Sequence, residues 1–149
     1  MTRPAAGVRP PLVALKGVRK TYWLGHSPVR ALRNVTLSIR EGDFVSIMGP
    51  SGSGKSTLMH VLGLLDVPDE GSYRLAGRET AELSEDELAG LRGATIGFVF
   101  QQFNLLPRMS AAENITLPTL YAAAPTRQGA AERAVLARML TLTDRLAHT

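Results

Sequence analysis

The most informative residues of this chain are Phe44-Val45-Ser46-Ile47-Met48-Gly49-Pro50-Ser51-Gly52-Ser53-Gly54-Lys55-Ser56-Thr57. Gly49, Gly54, Lys55 and Ser56 stand at the spacing G-x-x-x-x-G-K-[ST], and each residue type has a physical reason. Glycines let the backbone curl so that the amides of Ser51, Gly52, Ser53 and Gly54 converge on an anion with no Cβ in the way. A helix opening near Lys55 adds unpaired N–H groups and the positive end of its dipole. Lys55 brings a mobile point charge suited to β- and γ-phosphates. Ser56 offers a hydroxyl to Mg²⁺, which takes oxygen ligands, and Thr57 a donor to an α-phosphate. The segment is therefore a candidate triphosphate cradle.

Its flanks have the placement such a loop demands. Phe44–Met48 is nearly continuous apolar sequence, the pattern of a strand covered on both faces. Leu58, Val61, Leu62 and Leu65 then recur at helical spacing. Further upstream, Leu12–Tyr22 and Val29–Arg40 read as strands; Val35, Leu37 and Ile39 alternate with polar residues, the period of a half-buried sheet. Downstream, Asp66–Gly71 is a turn-rich connection and Ser72–Ala76 a short strand. Ser84 with Glu87 makes a capping box for a helix over Glu85–Arg92. Thr95–Phe100 reads as a second buried strand. Ser110 with Glu113 opens another helix, which Pro118 is expected to bend or end. A last amphipathic segment starts near Ala130 and would bury Val135, Leu136, Met139 and Leu140. Strands alternating with helices imply an α/β fold with a parallel sheet, preceded by an antiparallel piece.

Composition narrows the function classes. The chain has 149 residues, 44% hydrophobic and 20% charged, close to a soluble globular average rather than a disordered or fibrous one. No apolar run reaches the roughly 18 residues of a membrane span. There are no cysteines, so neither disulfides nor thiolate metal sites arise, which fits a reducing compartment. Residues 1–40 carry eight cations and no acid, and the remainder thirteen acids against nine cations. Such a basic end suits a solvated sheet face, an anionic lipid or a phosphorylated ligand. No zinc-finger, helix-turn-helix or RNA-binding signature accompanies it, so specific nucleic-acid recognition is not expected. Residues 1–11, with three prolines, read as a disordered arm without the apolar core of a signal peptide.

Beyond the loop, the sequence resembles the ATP-binding subunits of ABC transporters, in the group that handles macrolide export and lipoprotein release. The resemblance rests on Leu15–Tyr22, Val45–Thr57, Leu58–Asp66, Gly71–Gly77, Asp86–Arg92 and above all Ile96-Gly97-Phe98-Val99-Phe100-Gln101-Gln102-Phe103-Asn104-Leu105-Leu106-Pro107-Arg108. It implies a P-loop NTPase core, mostly parallel, with an N-terminal antiparallel β subdomain and a partial helical subdomain, the whole of 12–149 forming part of one nucleotide-binding domain. It implies ATP and Mg²⁺ as ligands. Tyr22 matches the aromatic that stacks on adenine, with Trp23 its neighbour as the alternative. Gln101 matches the glutamine that reaches Mg²⁺ or the attacking water and borders the permease contact, with Gln102 as the surface alternative. The implied partners are a transmembrane permease and a second ATP-binding subunit, on the cytoplasmic face of the cell membrane.

Three parts of the family pattern do not follow: the glycine-rich signature, an apolar strand ending in Asp-Glu, and a switch histidine. Leu83-Ser84-Glu85-Asp86-Glu87 begins like the signature but lacks its glycines, and Leu62–Asp66 closes the loop's own helix. His26 and His60 come too early to be the switch, and His148 is penultimate. The chain is thus expected to be an N-terminal portion of such a subunit. Phosphoryl transfer is mostly positioning and electrostatics, so no catalytic residue is assigned and nucleotide binding without turnover is expected. A non-catalytic fragment that holds nucleotide or only a permease is the alternative. Loss of the acidic strand would leave open sheet edges, hence a poorly soluble or partly ordered product unless another polypeptide supplies the remainder.

Overall fold

The computed structural model describes residues 10–101 and 104–120. The chain divides between Ala89 and Gly90 into two compact units. The first is built on a hairpin: β1 (Val13–Leu24) and β2 (Ser27–Ile39) pair antiparallel across Gly25-His26. β3 (Glu70–Leu75) adds to the other edge of β1, with Leu15 opposite Tyr73, and β4 (Arg78–Glu79) folds back on β3. The sheet order is β2-β1-β3-β4. Gly71, at φ +91°, is required where β3 meets β1, since a Cβ there would fall within 2.6 Å of the Gly17 carbonyl oxygen.

α1 (Lys55–Leu62) carries the core with this sheet. Val61 and Leu64 are buried, as are Leu15, Val18, Leu32, Tyr73 and Leu75 of the strands. The Tyr73 hydroxyl donates to the Leu62 carbonyl at the end of α1 (2.8 Å). This bond ties β3 to the helix, and burial pushes the phenol up to about 12. A 3-10 turn (Thr80–Glu82) and α2 (Glu85–Thr95) follow, α2 starting at the Ser84–Glu87 capping box. In the second unit α3 (Ala111–Leu120) starts at the Ser110–Glu113 box. It is described to Leu120, so Pro118 does not end it; Pro118 has no N–H to give the carbonyl four residues earlier, and one helical bond is absent there.

Two expectations need correction. Phe44–Met48 and Thr95–Phe100 lie in no strand: Thr95 ends α2, and 96–100 pair with nothing among the described residues. Phe44 is 98% exposed and Val99 fully so. Sequence of this kind becomes a parallel strand only when neighbours on both sides supply ladder bonds and cover both faces, and among the described residues none does. The sheet present is accordingly antiparallel throughout. The two-residue β4 also went unforeseen. Its cue was Ala76-Gly77, both at positive φ as a tight hairpin turn requires. The arm within 1–9, Gln102 and the segment from Ala130 lie outside the described residues.

Candidate functional site

The site begins with the contrast between α1 and the other helices. α2 and α3 place acids in their first turns and fill their first amides with Ser and Glu side chains. α1 has no acid in its first turn, and its N-cap, Gly54, has no side chain to offer. The amides of Lys55, Ser56 and Thr57 therefore await an acceptor from outside the helix. Gly54 adopts φ +90°, and a Cβ there would drive into the Ala31 carbonyl oxygen of β2. Glycine is thus demanded twice, by the turn and by the edge strand that fixes where the helix starts.

Lys55 is folded over the loop. Its Nζ donates to the carbonyls of Gly49 (2.8 Å) and Pro50 (2.6 Å), with the Ser53 hydroxyl at 3.4 Å. Among the described residues no carboxylate pairs with it. Ser51, Gly52 and Ser56 are exposed, Thr57 half-buried. A cavity of about 840 Å³ opens here, lined by Ser51, Gly52, Lys55, Ser56 and Thr57 together with Tyr22. Arg30 and Arg33 of β2 also border it. A second cavity of about 570 Å³ lies along Gly49, Pro50 and Leu58.

Tyr22 reaches the loop because alternate residues of β1 share a face. Trp23 points the other way and lines a separate cavity of about 590 Å³ with Arg19 and Pro28. Of the two aromatics, Tyr22 lines the loop cavity and Trp23 does not. The Tyr22 hydroxyl donates to Asp66 Oδ2 at 2.6 Å. That Asp66 bond, with burial added, raises the phenol's pKa against the influence of Thr57 and Lys20. Lys20 is buried and donates to Asp66 Oδ1 (2.7 Å), Asp69 Oδ1 (3.3 Å) and the Val67 carbonyl (2.7 Å). Burial pulls this ammonium's pKa down, but Asp66 and Asp69 outweigh it and hold the value above the ordinary one. Burial likewise pushes Asp66 up, and its bonds to Lys20 and Tyr22 reverse that into a lowered carboxyl. Sequence reading missed Lys20 and Asp66; the available signal was Lys20 two residues before Tyr22, on the same strand face.

Gln101 belongs to the second unit and is exposed. In the same unit Asn114 of α3 organises the turn before the helix. Its Oδ1 accepts from the Leu106 amide (2.8 Å), and its Nδ2 donates to the Met109 and Ser110 carbonyls (3.1 Å each).

Compared with known proteins, residues 32–148 match the family described as ABC transporter. The chain belongs to the ABC transporter family. Among curated relatives, the macrolide export ATP-binding/permease protein MacB of Bdellovibrio bacteriovorus is 64% identical over 110 residues, 74% of this chain and 17% of that protein. MacB of Brucella abortus is 49% identical over 138 residues, 93% of this chain and 21% of that protein. The dimeric post-hydrolysis structure of the ATP-binding cassette MJ0796, bound to ADP and Pi, superposes with a TM-score of 0.78 at 47% identity, covering 91% of this chain and 60% of that one. The fold is therefore that of the ABC ATP-binding cassette, and the chain spans about a fifth of the length of the curated relatives it matches. No helix among the described residues is long and apolar enough to cross a membrane.

Proposed function

We propose that this ABC cassette chain binds Mg-ATP at Gly49–Thr57, as the ATP-binding part of a transporter for export or for lipid or lipoprotein handling. The observation that carries the reading is α1's uncapped start, its free amides and the Lys55 ammonium facing one cavity with Tyr22. The phosphates would take the amides of Ser51 through Thr57 and the Lys55 ammonium. No group of three or more acidic or histidine ligands exists among the described residues. Mg²⁺ would be held by the Ser56 hydroxyl, phosphate oxygens and water, oxygen ligands of the kind this ion takes; Gln101 is the further oxygen donor that the family resemblance implies. Tyr22 would stack on the base, a contact that needs no base-specific hydrogen bonds. When bound, the metal neutralises phosphate charge and orients the γ-phosphate.

The cassette portion is taken to start near Leu12, with residues 1–11 as an arm of no assigned role. Its partners would be a membrane permease, received on the face around Gln101–Arg108, and a second cassette, at the cytoplasmic side of the membrane. MacB as named joins ATP-binding and permease functions in one protein, and the MJ0796 cassette is dimeric; both support this placement. Calorimetry with Mg-ATP tests the binding claim. Lys55→Ala is expected to weaken affinity by about 1.5–3 kcal/mol, the scale of a charged hydrogen bond. Equal affinity for the variant would refute the assignment.

A further inference from the structure

Resting on that reading, we propose that Lys20 and Asp66 are positioning residues of the nucleotide site, which fix the Tyr22 ring beside the loop and so set how strongly the site reads the base of its ligand. Neither residue lines the loop cavity, so their influence would pass through the phenol.

The network is more complete than a staple between strand and helix requires. An ammonium has three donors, and all three find acceptors: Asp66, Asp69 and the Val67 carbonyl. Asp66 in turn accepts from Lys20 and the Val67 amide (2.8 Å) on Oδ1 and from the Tyr22 hydroxyl on Oδ2. Asp69 Oδ2 accepts from the Thr21 amide (2.6 Å), which holds the strand next to Tyr22. The phenol is therefore fixed at its far end by a carboxylate that cannot itself turn. Lys20 Nζ also lies over one face of the Tyr22 ring, 5.6 Å from its centroid. A base would have to stack on the opposite face. Tyr22 and Thr57 line the same cavity, which joins this arrangement to the phosphate loop.

Partly buried ion pairs add little net stability compared with apolar packing. What they supply here is an aromatic plane set before the ligand arrives, so less ordering cost falls on binding. Bound ligands that carry a base should feel this, and ligands that are only phosphate should not.

The test compares Mg-ATP with Mg-tripolyphosphate on the 149-residue chain by calorimetry, using Tyr22→Phe, Asp66→Asn, Lys20→Met and the Tyr22→Phe/Asp66→Asn pair. Tyr22→Phe removes one oxygen and keeps the ring. The expected result is a loss of about threefold to tenfold for ATP, a fraction of what stacking one base supplies, with tripolyphosphate changed by less than about twofold. The double variant should be no weaker than the weaker single one. Equal losses for both ligands, additive losses in the pair, or unchanged ATP affinity would each overturn the proposal. Two wild-type outcomes separate it from the reading beneath it. If ATP and tripolyphosphate bind equally but depend on Lys55, the base platform fails and the phosphate loop stands. If neither ligand shows Lys55-dependent binding, both fail.

Discussion

At Gly54 two demands coincide, and substitutions can separate them. Gly25 is also in the left-handed region, at φ +60°, but a Cβ there meets nothing within 4 Å. Gly25→Ala should therefore cost only the conformational penalty, about 1 kcal/mol. Gly54→Ala adds a collision with the backbone of Ala31 and should cost about 2–4 kcal/mol, with loss of Mg-ATP binding; urea melts of the two variants check the difference. Tyr73 gives a pH-dependent prediction. Its folded pKa of about 12 lies above its ordinary 10.0, so the native state favours the neutral phenol. The stabilisation is fully present below pH 10 and is lost as pH rises toward 12, because the unfolded chain ionises first. Denaturant titrations across that window should show a decline of order 2 kcal/mol. Tyr73→Phe should flatten the decline, at a cost of about 1 kcal/mol near neutrality from the unpartnered Leu62 carbonyl. Asp66 works at the other extreme: its lowered carboxyl stabilises above the ordinary aspartate range, a contribution lost as pH falls through its folded value.

Among elements, the helices were legible where their ends were written in side chains. Ser84 with Glu87 and Ser110 with Glu113 marked two starts that the structure places where the sequence put them. The β1–β2 hairpin was equally readable from alternation, with bounds off by one or two residues. The loop and α1 followed from the glycine spacing. What escaped was tertiary. Asn114 reads as an ordinary helix residue, yet it bonds the Leu106 amide eight residues earlier. Asn114→Ala should speed hydrogen exchange at that amide by about an order of magnitude, while the helix content by circular dichroism stays unchanged. Asp66 escaped for a similar reason: it ends an apolar run, and its side-chain partners Lys20 and Tyr22 lie more than forty residues away in sequence. Tyr22 could be named from its family likeness, but the residues that hold it could not.

On the scale of the whole molecule, each unit shows apolar sequence that nothing described here covers. Phe44 and Met48 are exposed in the first unit and Val99, Phe100 and Leu105 in the second. Phe98 and Phe100 stack on each other, ring centroids 5.4 Å apart. Surface of this kind marks interaction or association. The 149-residue chain should bind a hydrophobic dye and scatter light increasingly with concentration; a monomer that stays monodisperse at every concentration and leaves the dye unbound would contradict this. It should also release no phosphate from ATP in a Lys55-dependent manner, since a cradle alone positions no attacking water. The Lys55 side chain, clasped by the Gly49 and Pro50 carbonyls, carries a final implication. Carbonyl dipoles already occupy the loop's cation, so chloride and other small anions would meet an internal competitor. A solute bearing several negative charges would compete better for the side chain, and discrimination against buffer ions would then follow from that rivalry without any narrowing of the entrance.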